Sequence, residues 1–163
     1  LEGLRRELPR ARWVRPQGAH VTLKFLGDAS PEVLERLAAE LGPRLAGRDP
    51  VELRLSQAGF FPSPARARVA WLGGAATGAA EVASAIDEVA SGHGFVPERR
   101  PWSLHLTVAR LDAPWPPPAV DRFLRWGERL EILPIACREV VLFASRLDPG
   151  GAVYTALKRF RLE

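Results

Sequence analysis

Apolar and polar residues alternate over residues 20–27, 51–61, 68–72 and 105–110, and two further apolar-rich runs occupy 137–144 and 153–162. Side chains two apart share one face of a strand, so these stretches predict six strands. Between them the apolar spacing widens to three and four. Val33, Leu34, Leu37, Leu41 and Leu45 make one stripe of a helix that begins at a Ser30 N-cap, takes Pro31 in its first position and runs to about Ala46. Pro43 is expected to bend or divide it. An alanine-rich helix over 77–90 ends at Gly92-His93-Gly94, where His93 reads as a solvent-exposed cap or turn residue. A short helix over 119–128 turns Val120, Phe123 and Leu124 inward.

Residues 1–8 read as the tail of an amphipathic helix stopped by Pro9, followed by a short extended piece at Trp13-Val14 and a turn at Pro16-Gln17-Gly18. Gly73-Gly74 and Gly150-Gly151 read as turns, and 114–118 as a rigid proline connector. Residues 97–101, with Glu98, Arg99 and Arg100, form a candidate substrate-entry loop. Strands returning through short turns, with helices segregated between them, indicate an α+β fold with antiparallel sheets. The order strand, helix, two strands occurs twice. The expected architecture is therefore two pseudo-symmetric lobes, each an antiparallel sheet with flanking helices, enclosing a central cleft. A length of 163 residues, 47% of them hydrophobic, suits one two-lobed domain over 1–163.

The strand at 20–27 and the strand at 105–110 open alike: His20-Val21-Thr22 and His105-Leu106-Thr107. Each copy aims an imidazole and a hydroxyl into one space. Histidine exchanges a proton near neutrality, its unperturbed pKa being about 6.5, so a facing pair can hold one ring neutral and one protonated. That combination suits in-line displacement at phosphorus, where the attacking oxygen loses a proton and the leaving oxygen gains one. Thr22 and Thr107 would donate hydrogen bonds to the non-bridging oxygens. Either histidine can be the acid on this reading. One isolated His-x-Thr is an ordinary polar pair at a sheet surface; two in equivalent places, using two of three histidines, make a site.

Arg110 lies five residues beyond His105, so regular alternation puts it on the opposite face, and a bulge or the strand's end would be needed to bring it to a phosphate. It is the candidate substrate-binding residue, with a structural ion pair as the alternative. Lys24 shares its face with His20 and Thr22, where a solvated edge position is the simpler reading. No metal is expected, since three scattered histidines and one cysteine lack zinc spacing, and no glycine-rich phosphate loop follows a strand. No other cofactor is called for.

The net charge is +4 and Lys24 and Lys158 are the only lysines among 23 basic residues. This modest positive field favours phosphate-bearing partners without identifying nucleic acid. Cys137 reads as a buried small hydrophobe, and a disulfide within the chain is impossible. With no signal peptide and no apolar run near the roughly 18 residues that span a membrane, a cytoplasmic monomer that does not engage membranes is expected.

The paired motifs resemble those of the two-histidine (2H) phosphoesterase superfamily, and within it the RNA 2',3'-cyclic phosphodiesterases once named 2'-5' RNA ligases. The resemblance extends through Phe25-Leu26-Gly27, Phe60-Phe61-Pro62, Arg68-Val69-Ala70-Trp71-Leu72-Gly73, Pro101 to Arg110, and Tyr154 to Phe160. It differs at Leu104 and Ala156, where the family often has proline. It implies a strand and the start of a helix ahead of Leu1 that this sequence lacks. It also implies RNA or a nucleotide with a 2',3'-cyclic phosphate terminus as substrate, a 2'-phosphomonoester as product, His20 as proton donor and His105 as proton acceptor. A binding module without catalysis, or 2'-5' ligation by the same residues, are the alternatives.

Overall fold

A computed structural model describes residues 2–130, 134–148 and 151–163. The elements in order are α1 (Glu2–Arg5), β1 (Arg12–Trp13), α2 (Pro31–Leu45), β2 (Val51–Phe61), β3 (Val69–Thr77), α3 (Ala79–Gly92), β4 (Leu106–Arg110), α4 (Pro117–Gly127), β5 (Ile135–Cys137), β6 (Glu139–Asp148) and β7 (Gly151–Arg161). They form a five-stranded sheet of order β1-β4-β3-β2-β5 and a two-stranded ribbon, β6-β7. The pairings of β4 with β1 and with β3, and of β6 with β7, are antiparallel, as an α+β fold requires. The chain divides into two compact units, one of Leu1–Thr22, Leu53–Ala75 and Ser103–Pro134, the other of Leu23–Glu52, Ala76–Trp102 and Ile135–Glu163.

The first unit is held by aromatic packing. Phe123 of α4 has no exposed surface and lies 5.1 Å from Phe60 and 5.9 Å from Trp115 between ring centroids. Burying rings of this size contributes about 2–3 kcal/mol each. Gly127 lets α4 approach β2, because a β-carbon there would overlap Ala58. Pro117 and Pro118, expected in a connector, instead open α4, where a missing N–H costs nothing.

In the second unit α2 buries Leu37, Leu41 and Leu45, and the Ser30 side chain accepts the Val33 N–H as predicted. Pro43 does not divide this helix. It stands in the last turn, so only one helical hydrogen bond is forfeited, and the buried Leu41 and Leu45 hold the turn. His93 caps α3, yet its side chain is only 11% exposed and its Nε2 lies 3.2 Å from Glu40 Oε1, so the solvent-exposed reading is corrected by this contact.

Further expectations change in physically clear ways. Gly73-Gly74 is not a turn but part of β3. Gly74 has φ +152°, and a β-carbon there would collide with the Arg54 carbonyl of the neighbouring strand. Strand, not turn, is what these glycines permit. Gly150 of the other expected turn lies outside the described residues. Cys137 is half-buried rather than buried and belongs to β5, separate from β6; burial still pushes its thiol up.

Candidate active site

β4 carries the second motif. Leu106 and Thr107 pair with Leu72 and Trp71 of β3, and the buried Leu104 anchors the approach so that Ser103 and His105 flank it. On the other edge of β4, β1 pairs through Arg12 and Trp13. The chain then leaves that edge for a single 3-10 turn, Pro16–Gly18, and returns to it at one bridge, Val21 to Leu106. The first motif is therefore not the regular strand expected over 20–27. The backbone bends at Leu23, where the chain passes into the second unit, and Lys24 is drawn into a part-buried ion pair there.

One bridge is enough to order the four motif residues. In an antiparallel pair, positions one step out from a bridge stand opposite each other and on the same face. Thus Thr22 comes beside His105 and His20 beside Thr107, while Val21 and Leu106 point to the other face. All four polar groups share one side of the sheet. His20, His105 and Thr107 are half-buried and Thr22 is exposed.

Both imidazoles are oriented by the same device. His20 Nδ1 lies 2.9 Å from the Gly18 carbonyl and His105 Nδ1 lies 3.1 Å from the Ser103 carbonyl, in each case two residues upstream. A carbonyl only accepts, so each Nδ1 bears the hydrogen and Nε2 is the nitrogen at which the proton is gained or lost. The Pro16–Gly18 turn thus supplies the carbonyl that sets the first ring.

Arg110 meets the condition that its spacing imposed. β3 and β4 slip register between Ala70 and Trp71: Ala70 faces Ala109 whereas Trp71 faces Thr107. Val108 is the extra residue of a β-bulge, and Val108 and Ala109 are both buried. Arg110, opposite Val69, consequently returns to the face of Trp71 and Thr107. It is exposed and makes no ion pair among the described residues, whereas Arg12 is taken by Asp112 at 3.0 Å.

The same face carries aromatic residues to which sequence reasoning gave no role. Phe61 stacks on Trp71 with ring centroids 5.3 Å apart and meets the His105 imidazole nearly perpendicularly at 5.7 Å. The signal was present as glycines alternating with aromatics, Gly59 with Phe61 and Trp71 with Gly73.

Lys24, read as a solvated edge residue, has a side chain only 5% exposed. Its ammonium pairs with Asp87 and donates to the Val96 carbonyl at 2.9 Å. The Asp87 carboxylate also accepts the Glu98 N–H at 3.0 Å, so this pair pins the loop that precedes the second motif. The hydrogen bond from Lys24 is the main cause that holds the Asp87 carboxyl below its usual range; partial burial opposes it, and the Glu98 N–H and the lysine charge add to it. Among the described residues no three His, Cys, Asp or Glu side chains converge as a metal site would need, and no helix is long and apolar enough to cross a membrane.

Comparison with known proteins shows the family. A family model described as LigT like phosphoesterase matches residues 1–71 and 74–154, each stretch holding one His-x-Thr motif. An RNA 2',3'-cyclic phosphodiesterase of Methanothermobacter thermautotrophicus is 33% identical over 93% of this chain and 82% of its own length. One from Thermus thermophilus is 34% identical over 91% of this chain and 74% of its own. The crystal structure of E. coli LigT complexed with 3'-AMP superposes with a TM-score of 0.71 at 30% identity, covering 99% of this chain and 87% of that one.

Proposed function

Because the chain belongs to the LigT-like phosphoesterase family, we propose that it hydrolyses the 2',3'-cyclic phosphate of a ribonucleotide or RNA 3' end to a 2'-phosphomonoester. The observation that carries this reading is the pair of His-x-Thr motifs on one face, joined at Val21 and Leu106, with both imidazoles held through Nδ1.

One neutral imidazole takes a proton from water at Nε2 as the water oxygen bonds to phosphorus. The bond from phosphorus to the 3' oxygen breaks in line, and the protonated second imidazole gives its proton to that oxygen. The 2' ester survives, so the product is a 2'-phosphate. Family resemblance makes His105 the acceptor and His20 the donor. Thr22 and Thr107 donate hydrogen bonds to the non-bridging oxygens, on which charge accumulates in the transition state. Arg110, on the same face, offers a guanidinium to the phosphate. No step in this scheme calls for a metal ion.

The test is incubation of the protein with a nucleoside 2',3'-cyclic phosphate in excess chelator, the product being identified by phosphorus NMR. A 2'-monophosphate is expected. No turnover, turnover abolished by the chelator, or a 3'-monophosphate would overturn the assignment.

A further inference from the structure

We propose that Lys24 and Asp87 are positioning residues for the hydrolysis: their ion pair ties the chain that leaves the first motif to the loop that leads into the second. The inference rests on the proposed function for the chemistry that is positioned, and on the bonding of the pair for the rest. Residues 23–27 and 95–105 belong to no helix or strand, so ladder hydrogen bonds hold neither stretch. The Lys24 side chain does so instead, bonding at once to Asp87 of α3 and to the Val96 carbonyl at 2.9 Å. The Asp87 carboxylate accepts the Glu98 N–H at both oxygens, at 3.0 and 3.2 Å, and the Glu98 carboxylate accepts the N–H groups of Arg99 and Arg100 at 3.1 and 3.4 Å. One carboxylate thus gathers both stretches, and all of these groups lie within the second compact unit.

Packing alone does not call for a lysine here. Its side chain is 5% exposed, and a methionine would fill the same slot with no ion to desolvate. What the ammonium adds is reach to two acceptors, one of them on the backbone of the loop. Both ends of the tie lie a short chain length from the reacting groups. Lys24 follows Thr22 by two positions, about 7 Å of extended chain at most, and Glu98 stands five positions before Ser103, whose carbonyl orients His105. In-line displacement needs the two imidazoles on opposite sides of one phosphorus, and misplacing a reacting group by about 1 Å can cost about 100-fold in rate. The pair therefore acts through the backbone of the two motifs, on the rate of the bound complex rather than on its formation.

Lys24→Gln, Asp87→Asn and the double variant are compared with the parent protein on adenosine 2',3'-cyclic phosphate, under conditions where circular dichroism shows each to be folded. In each single variant kcat should fall about 10- to 100-fold with KM little changed, and the double variant should lose no more than the worse single one. Asp87→Asn keeps the shape of the side chain and decides alone where Lys24→Gln does not fold. Parent kcat in the folded variants would make the pair structural only, and a raised KM at parent kcat would mean that it holds substrate; either result overturns the proposal. Titration with inorganic phosphate, followed by NMR at the imidazole protons, gives a second readout that needs no turnover. Phosphate should shift both His20 and His105 in the parent protein and lose its effect on at least one ring in Asp87→Asn. Unchanged responses, or a parent protein in which phosphate reaches only one ring, would refute the positioning role even where the enzyme is active. If the response is lost as expected in a protein that turns over no cyclic ester, the positioning role stands and the hydrolase reading fails.

Discussion

Val21 and Leu106 meet in a single antiparallel bridge, and this contact sets each threonine of one motif beside the histidine of the other. Slipping that pairing by one residue would turn one motif to the opposite face of the sheet. The site therefore depends on a register held by one pair of residues on the motif strand, backed by the β1 pairing further along the same edge.

The crossed arrangement predicts which pairs are energetically coupled. Thr22→Val and Thr107→Val should each cost about 1–3 kcal/mol of transition-state stabilisation. In double-mutant cycles on kcat/KM, Thr22 should couple more strongly to His105, directly across the bridge, than to His20 of its own motif, with a difference on the order of 0.5 kcal/mol or more. Equal coupling to both histidines would show that the cross-bridge pairing does not persist in the reacting complex.

Arg110 tests the bulge. Arg110→Gln should lower kcat/KM about 10-fold or more, as expected for losing a hydrogen bond to a charged group. Arg110→Lys should restore part of the loss by returning the charge without the planar fork. Arg12→Gln, whose guanidinium is already engaged by Asp112 at the surface, should change activity little. Steady-state kinetics on the three variants decide; indifference at position 110 would make the residue structural only.

Lys24 and Asp87 bear on stability and its pH dependence. Removing one partner of a part-buried, hydrogen-bonded pair costs about 1–3 kcal/mol, so Lys24→Met should unfold at lower urea concentration at pH 7. The folded pKa of Asp87 is depressed. Its contribution is therefore complete above the unfolded value of about 3.9 and disappears as pH falls through the lower folded value. The gap between the parent protein and Lys24→Met in urea titrations should narrow below about pH 4. A gap that is the same at pH 3 and pH 7 would show that Asp87 does not carry the effect.

Signals in the sequence suffice where the structure they specify is local. The Ser30-Pro31 helix start, the apolar stripe through Leu45 and the second motif on a strand all follow from residues a few positions apart. What escaped was set by neighbours distant in sequence. Gly73 and Gly74 look like punctuation until the strand beside them and the Trp71 ring are in place. Residues 20–27 alternate as a strand should, yet the ion pair of Lys24 with Asp87, 63 positions away, takes the chain elsewhere after Thr22. The face of Arg110 depended on one extra residue, Val108, in a strand whose partner register no single-chain pattern encodes. For the same reason the four motif residues were legible as chemistry, but their crossed pairing was not.

The measurement closest to the central claim, two imidazoles working in opposite protonation states, is the rate of each histidine variant on a natural and an activated ester. On a nucleoside 2',3'-cyclic phosphate the pH profile of kcat/KM should be bell-shaped, its limbs belonging to the coupled pair, and His20→Ala and His105→Ala should each lose about 10²- to 10⁴-fold. On a nitrophenyl phosphodiester, whose leaving group needs no proton, His20→Ala should keep most of the parent rate while His105→Ala remains impaired. Equal impairment of both variants on the activated ester would contradict the division of labour between His20 and His105.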